Sequence, residues 1–120
     1  MTNPLEQIAR AALAGDALIT RSLVQDWLET KPVLATIPKP LADDPTVIAL
    51  SAGLAELFSI RLGQASPSWA AEIGPAPKPT HLLRSALTMR RLREMCEAES
   101  PLLLRRRGIF APANYLETRA

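Results

Sequence analysis

A single cysteine and a single histidine in 120 residues leave this chain short of the usual material of catalysis and metal binding. Cys96 alone cannot close an intrachain disulfide, and Cys96 with His81 cannot supply the four ligands of an ordinary zinc site. Aromatic residues are equally sparse, at 4%: Trp27, Phe58, Trp69, Phe110 and Tyr115. A core must then come from Leu, Ile, Val and Ala, which suits helices packed closely on helices. No basic-then-apolar leader opens the chain and no apolar run reads as long enough to span a bilayer. The expectation is a cytoplasmic protein without a membrane partner. No Gly-rich phosphate loop and no metal-ligand cluster is visible, so no cofactor, no metal and no enzymatic activity are expected.

With 48% apolar and 22% charged residues, the composition is that of an ordinary globular protein. The length suits one domain, 1–120, able to bury about two-thirds of the surface of its unfolded chain. Start and stop signals divide it. Asn3, Pro4 and Glu6 form an N-cap, a first-position proline and the third member of a capping box. Leu5, Ile8, Ala9, Ala12 and Leu13 then share a face, and Gly15 closes the helix. A second helix starts at Asp16 or Thr20, carries Ile19, Leu23 and Trp27 inward, and stops before Lys31-Pro32. Residues 31–44 are a Pro-rich connection. Asp43-Asp44 looks like a carboxylate pair, but Pro45 makes Asp44 the cap of an almost wholly apolar helix from Pro45 to Leu62, ended by Gly63.

Residues 63–80 form a second Pro-rich connection, with Ser66-Pro67-Ser68-Trp69 as a turn that carries the indole inward. A helix from His81 to about Glu97 is expected to turn Leu83, Leu87, Leu92, Met95 and Cys96 inward. Ser100-Pro101 restarts a short helix closed by Gly108, and 109–120 is an irregular tail. No strand pair is visible. The fold class predicted is all-α: a compact bundle of four main helices, one or two short ones and the tail.

Residues 1–80 carry a net charge of −2 and residues 81–120 a net charge of +4. The positive end holds Arg90, Arg91 and Arg93, then Arg105, Arg106 and Arg107 beside Ile109, Phe110 and Tyr115. Arginine and aromatic side chains anchor protein interfaces, so these nine residues are the candidate partner-binding set. The same arginines suit phosphates of a nucleic acid. They also suit a solvated helix end, or neutralisation by Glu94, Glu97 and Glu99. A helix-turn-helix around Gly15 fails. Arg21 falls where a buried aliphatic residue is needed, and a recognition helix holding Asp26 and Glu29 against one arginine is net negative. His81 and Cys96 lie fifteen residues apart on one expected helix, so nothing orients them as a base and nucleophile.

Several segments carry a resemblance: Ala14-Gly15-Asp16-Ala17-Leu18 with Arg21-Ser22-Leu23-Val24-Gln25-Asp26-Trp27-Leu28, Asp43-Asp44-Pro45 leading to Arg61-Leu62-Gly63, Pro67-Ser68-Trp69, and Glu99-Ser100-Pro101 with Arg105-Arg106-Arg107-Gly108-Ile109-Phe110. They resemble a family of small bacterial helical proteins and the C-terminal half of some Xre-type helix-turn-helix regulators, covering most of the chain from Asp43 on. Such proteins are often encoded beside a nucleotidyltransferase-like toxin, so the resemblance implies an antitoxin. No catalytic residues carry over. The relatives' helix-turn-helix has no counterpart here, which implies neutralisation by direct contact. The function expected is a non-catalytic protein-binding domain whose Arg-rich C-terminal face meets an acidic site. The alternatives are a nucleic-acid-binding accessory protein using the same arginines, or a homodimer built on the 45–62 helix.

Overall fold

The computed structural model describes residues 3–116. Asn3 opens α1 (Pro4–Leu13) by accepting from the backbone N–H groups of Leu5 at 2.9 Å and Glu6 at 3.3 Å. Glu6 does not complete the capping box; its carboxylate pairs with Arg10 one turn on, at 3.3 Å. Leu5, Ile8, Ala9 and Ala12 form the buried stripe. Asp16 then caps α2 (Ala17–Glu29) by accepting from Ile19 N–H at 3.0 Å. The inward stripe of α2 is Thr20, Val24 and Trp27, whereas Ile19 is exposed. Thr20 tolerates burial because its hydroxyl donates to the Asp16 carbonyl at 2.6 Å. The Trp27 ring meets Phe58 edge-on, with centroids 5.4 Å apart.

α3 (Pro45–Leu62) starts at Asp44 and stops at Gly63, which takes the left-handed conformation that glycine permits. It is the central element, packed by α1 on one side and by a 3-10 turn at Ser68–Glu72 on another. Val47, Leu50, Leu54 and Phe58 are buried, and so are Ser51 and Ser59, whose hydroxyls donate to carbonyls one turn back. Contrary to the sequence expectation, this helix has the length and apolarity of a bilayer span, at 18 residues and mean hydropathy 1.4. As in a core helix, 61% of it is buried within the fold. Trp69 is half-buried and donates its indole N–H to the Ile37 carbonyl at 2.7 Å, fastening the first Pro-rich connection over the core.

The last third departs most from expectation. The predicted helix from His81 does not form as one piece. Thr80–His81 (β1) pairs in parallel with Ile109–Phe110 (β2), so a strand pair exists after all. Thr80 N–H donates to the Gly108 carbonyl at 2.8 Å and Leu82 N–H to the Phe110 carbonyl at 2.9 Å. That ladder holds 80–82 extended, which is incompatible with a helix start at His81. A 3-10 turn at Arg84–Leu87 follows, and α4 begins only at Arg90, running to Glu99. Leu87 and Met95, expected inside, are exposed at 60% and 42%. Ser100-Pro101 restarts the chain as α5 (Leu102–Arg105), and Gly108 turns it with a φ of 74°. Ile109 and Ala111 are buried, while Tyr115 and Leu116 pack on the core, so the described part of the tail is structural; its expected continuation at 117–120 lies outside the described residues. Four main helices, one short helix and this small ladder make a mainly α fold.

Candidate functional site

The two arginine stretches of the sequence differ in what they pair with. α5 reaches α3 closely because residue 53 is glycine: a Cβ there would stand 2.8 Å from Leu104 Cδ2 and 3.3 Å from the Leu103 carbonyl oxygen. This approach carries Arg106 and Arg107 to Glu56, one of the two charged residues of α3. Arg106 Nη2 lies 2.8 Å and 2.7 Å from the two Glu56 oxygens. Arg107 Nη1 donates to Glu56 Oε1 as well, and its Nη2 donates to the Ala70 carbonyl at 2.8 Å. Arg107 is only 3% exposed, so it is a core residue and not a contact for any partner. Its Nε is buried without a hydrogen bond among the described residues. Arg105 is exposed and donates to the Ala98 carbonyl at 2.5 Å, a bond to the end of α4. The acid that pairs with Arg106 and Arg107 is thus Glu56, and among the described residues none of Glu94, Glu97 and Glu99 makes an ion pair with this basic run.

Ile109 is fully buried and also drops out of the candidate surface. Phe110 is half-buried, with its ring 5.1 Å from that of His81. Tyr115 is half-buried too; its carbonyl accepts from Arg61 at 2.7 Å, and burial pushes its hydroxyl pKa up to about 12. His81 has its Nε2 3.2 Å from Glu97, with a side chain 9% exposed and Nδ1 buried without a partner. Cys96 is buried, and desolvation, with smaller contributions from Glu97 and Glu99, raises its thiol pKa. Among the described residues no group of three or more potential ligands could hold a metal ion.

The remaining arginines stay outward. Arg90 and Arg91 are exposed and Arg93 is half-buried. Arg90 makes only an exposed pair with Glu94, at 3.0 Å, of the kind that contributes little. α4 buries a single side chain, Cys96. Its charges run against its dipole, with arginines in the first turn, no acid there and no base in the last. No side chain caps its N-terminus. Its C-terminal end is tied down by the His81–Glu97 contact, by Arg105 on Ala98, and by buried Ser100, whose hydroxyl bonds the Cys96 carbonyl and the Ala111 N–H. So α4 is anchored at its acidic end and presents its basic end.

Ahead of α4 Leu87 and Met89, and along it Met95, are exposed, at 60%, 56% and 42%. Sequence periodicity missed them because it assigned Leu87 and Met95 to a core that α4 does not enter. Comparison with family models, curated proteins and solved structures finds no match.

Proposed function

We propose that the chain is a non-catalytic binding domain that engages an acidic partner protein through α4 and the 3-10 turn before it. One observation carries the reading. Exposed Leu87, Met89 and Met95 are interleaved with outward arginines on a helix whose own charge distribution opposes its dipole. Exposed methionine and leucine beside arginine is the make-up of an interface anchor. An acid placed at the first turn of α4 would meet Arg90 and Arg91 and relieve the unfavourable end charge. The resemblance of the sequence supplies a partner class: a nucleotidyltransferase-type toxin, whose active site is rich in metal-binding carboxylates. In this reading an α4 arginine takes the metal's place, and Arg106 and Arg107 hold the fold. The burial of Cys96, which raises its thiol pKa, supports a non-catalytic role.

The test is recovery of a partner from the native host, with the product of the neighbouring gene assayed directly for binding. Loss of a stoichiometric protein in Arg90→Ala/Arg91→Ala, with retention in Arg105→Ala, supports the assignment. Equal recovery by both variants overturns it. So does recovery of nucleic acid alone that is released as salt rises, because that is the signature of phosphate neutralisation.

A further inference from the structure

A cavity of about 390 Å³ lies where the α1–α2 turn, the Arg84–Leu87 turn and the tail at 112–116 meet. That volume is in the range of small-molecule sites. Its lining divides by chemistry: Leu82, Leu116 and Ala17 are apolar, Tyr115 offers a ring and a hydroxyl, and Arg21 and Arg84 are cationic.

The placement of Arg84 depends on one glycine. Gly15 stands at a φ of 77°, and a Cβ on it would lie 2.6 Å from Arg84 Nε and 2.8 Å from Arg84 Cδ. The missing side chain lets the arginine lie across the α1–α2 turn. A guanidinium at a helix C-terminus often serves the last carbonyls, but here those of Arg10, Ala11 and Ala12 already accept from Ala14, Asp16 and Gly15. Asp16, the residue after Gly15, has its Oδ1 on Ile19 N–H. Among the described residues neither Arg84 nor Arg21 makes an ion pair or a side-chain hydrogen bond. Two guanidinium groups that no described residue engages therefore line one concave, partly apolar space. The Tyr115 hydroxyl stays protonated through neutral pH and can donate.

We propose that this cavity binds a small organic acid, with Arg84 and Arg21 on its carboxylate or phosphate head and Leu82, Leu116 and Tyr115 around its apolar body. Arginine suits either oxyanion because its planar fork donates two parallel bonds. The cavity takes Arg84 from the same turn whose Leu87 belongs to the proposed partner face, but no residue of α4 lines it, so a titration of the chain alone tests it independently of the partner-binding reading.

The experiment is an amide-resonance titration of the full chain with octanoate and with phenyl phosphate. 1-Octanol and inorganic phosphate serve as the body alone and the head alone. Saturable shifts at residues around the cavity are expected for at least one acid, with affinity about tenfold or more above either control. The acid that binds tells carboxylate from phosphate. Arg84→Ala should weaken it about tenfold or more, and Ala17→Trp, which fills the mouth from an exposed position, should abolish it while distant resonances stay in place. The proposal is overturned if neither acid saturates, if Arg84→Ala binds as tightly as the parent, or if octanol binds as well as octanoate.

Discussion

Arg90, Arg91 and Arg93 on α4, and Arg105, Arg106 and Arg107 at the end of α5, are nearly the same composition twice, yet the first stretch pairs only within its own helix, whereas Arg106 and Arg107 of the second reach Glu56 on α3 and Arg107 is buried. The difference lies in what each helix packs on. α5 lies on α3, where Gly53 permits close approach and Glu56 offers a carboxylate that is itself mostly buried. α4 packs mainly on the short turn before it and buries one side chain. A run of like charge is therefore no guide to a binding surface until its counter-charges are located in space. Here the counter-charge stands fifty residues upstream.

The sharpest way to break this contrast is to remove the shared carboxylate. Glu56→Ala leaves Arg107 buried without a counter-charge and should destabilise the fold by about 3–5 kcal/mol, seen as a lower denaturation midpoint. A loss under ~1 kcal/mol would mean the pair is no more than a surface contact. Next comes pH. Burial raises Tyr115 to about 12 from an unfolded value of 10. The folded state thus holds a proton the unfolded state has released. Its contribution is complete below pH 10 and declines by about 1.4 kcal/mol per pH unit up to pH 12. Tyr115→Phe should flatten that alkaline decline in urea titrations at stepped pH. The buried Cys96 thiol, also raised, adds to it with the same sign. An unchanged slope in Tyr115→Phe would mean that the tail does not seal on the core.

Gly53→Val tests the approach of α5 itself. The new side chain collides with Leu104 and the Leu103 carbonyl, and a loss of about 1–3 kcal/mol is expected from overpacking, read by thermal melting. No change would show that α5 can stand further off. The smallest effect is the most diagnostic of the two stretches. Arg91→Glu places an acid in the first turn of α4 and should raise stability by about 0.3–1 kcal/mol while it weakens partner binding. If stability falls instead, Arg91 supports the fold and the two arginine stretches are alike after all.

How far these features were legible differs by element. The caps Asn3, Asp16 and Asp44, the stops at Gly15 and Gly63, and the whole span of α3 could be read from local chemistry, since a cap needs only neighbours in sequence. The inward stripe of α2 was read one residue off, because Ile19 looks more buried than Thr20 until the threonine hydroxyl is seen to bond its own helix. The helix expected at 81–97 failed for a different reason. Leu83, Leu87 and Leu92 have a helical look, but a ladder of two residues on each side, joined across nearly thirty positions, claims the backbone at 80–82. Such a ladder leaves no periodic trace.

Of the nine candidate residues, Arg90, Arg91, Arg105 and Arg106 are exposed, Arg93, Phe110 and Tyr115 half-buried, and Arg107 and Ile109 buried. Composition, charge and capping are properties of short windows, so the sequence alone determined a mainly α chain with a basic C-terminal third. Which arginines are spoken for depends on Glu56, on the glycine beneath Leu104 and on a carbonyl at Ala70. Tertiary structure alone decided that, because burial and charge pairing are set by distance in space, and the residues involved are up to 51 positions apart.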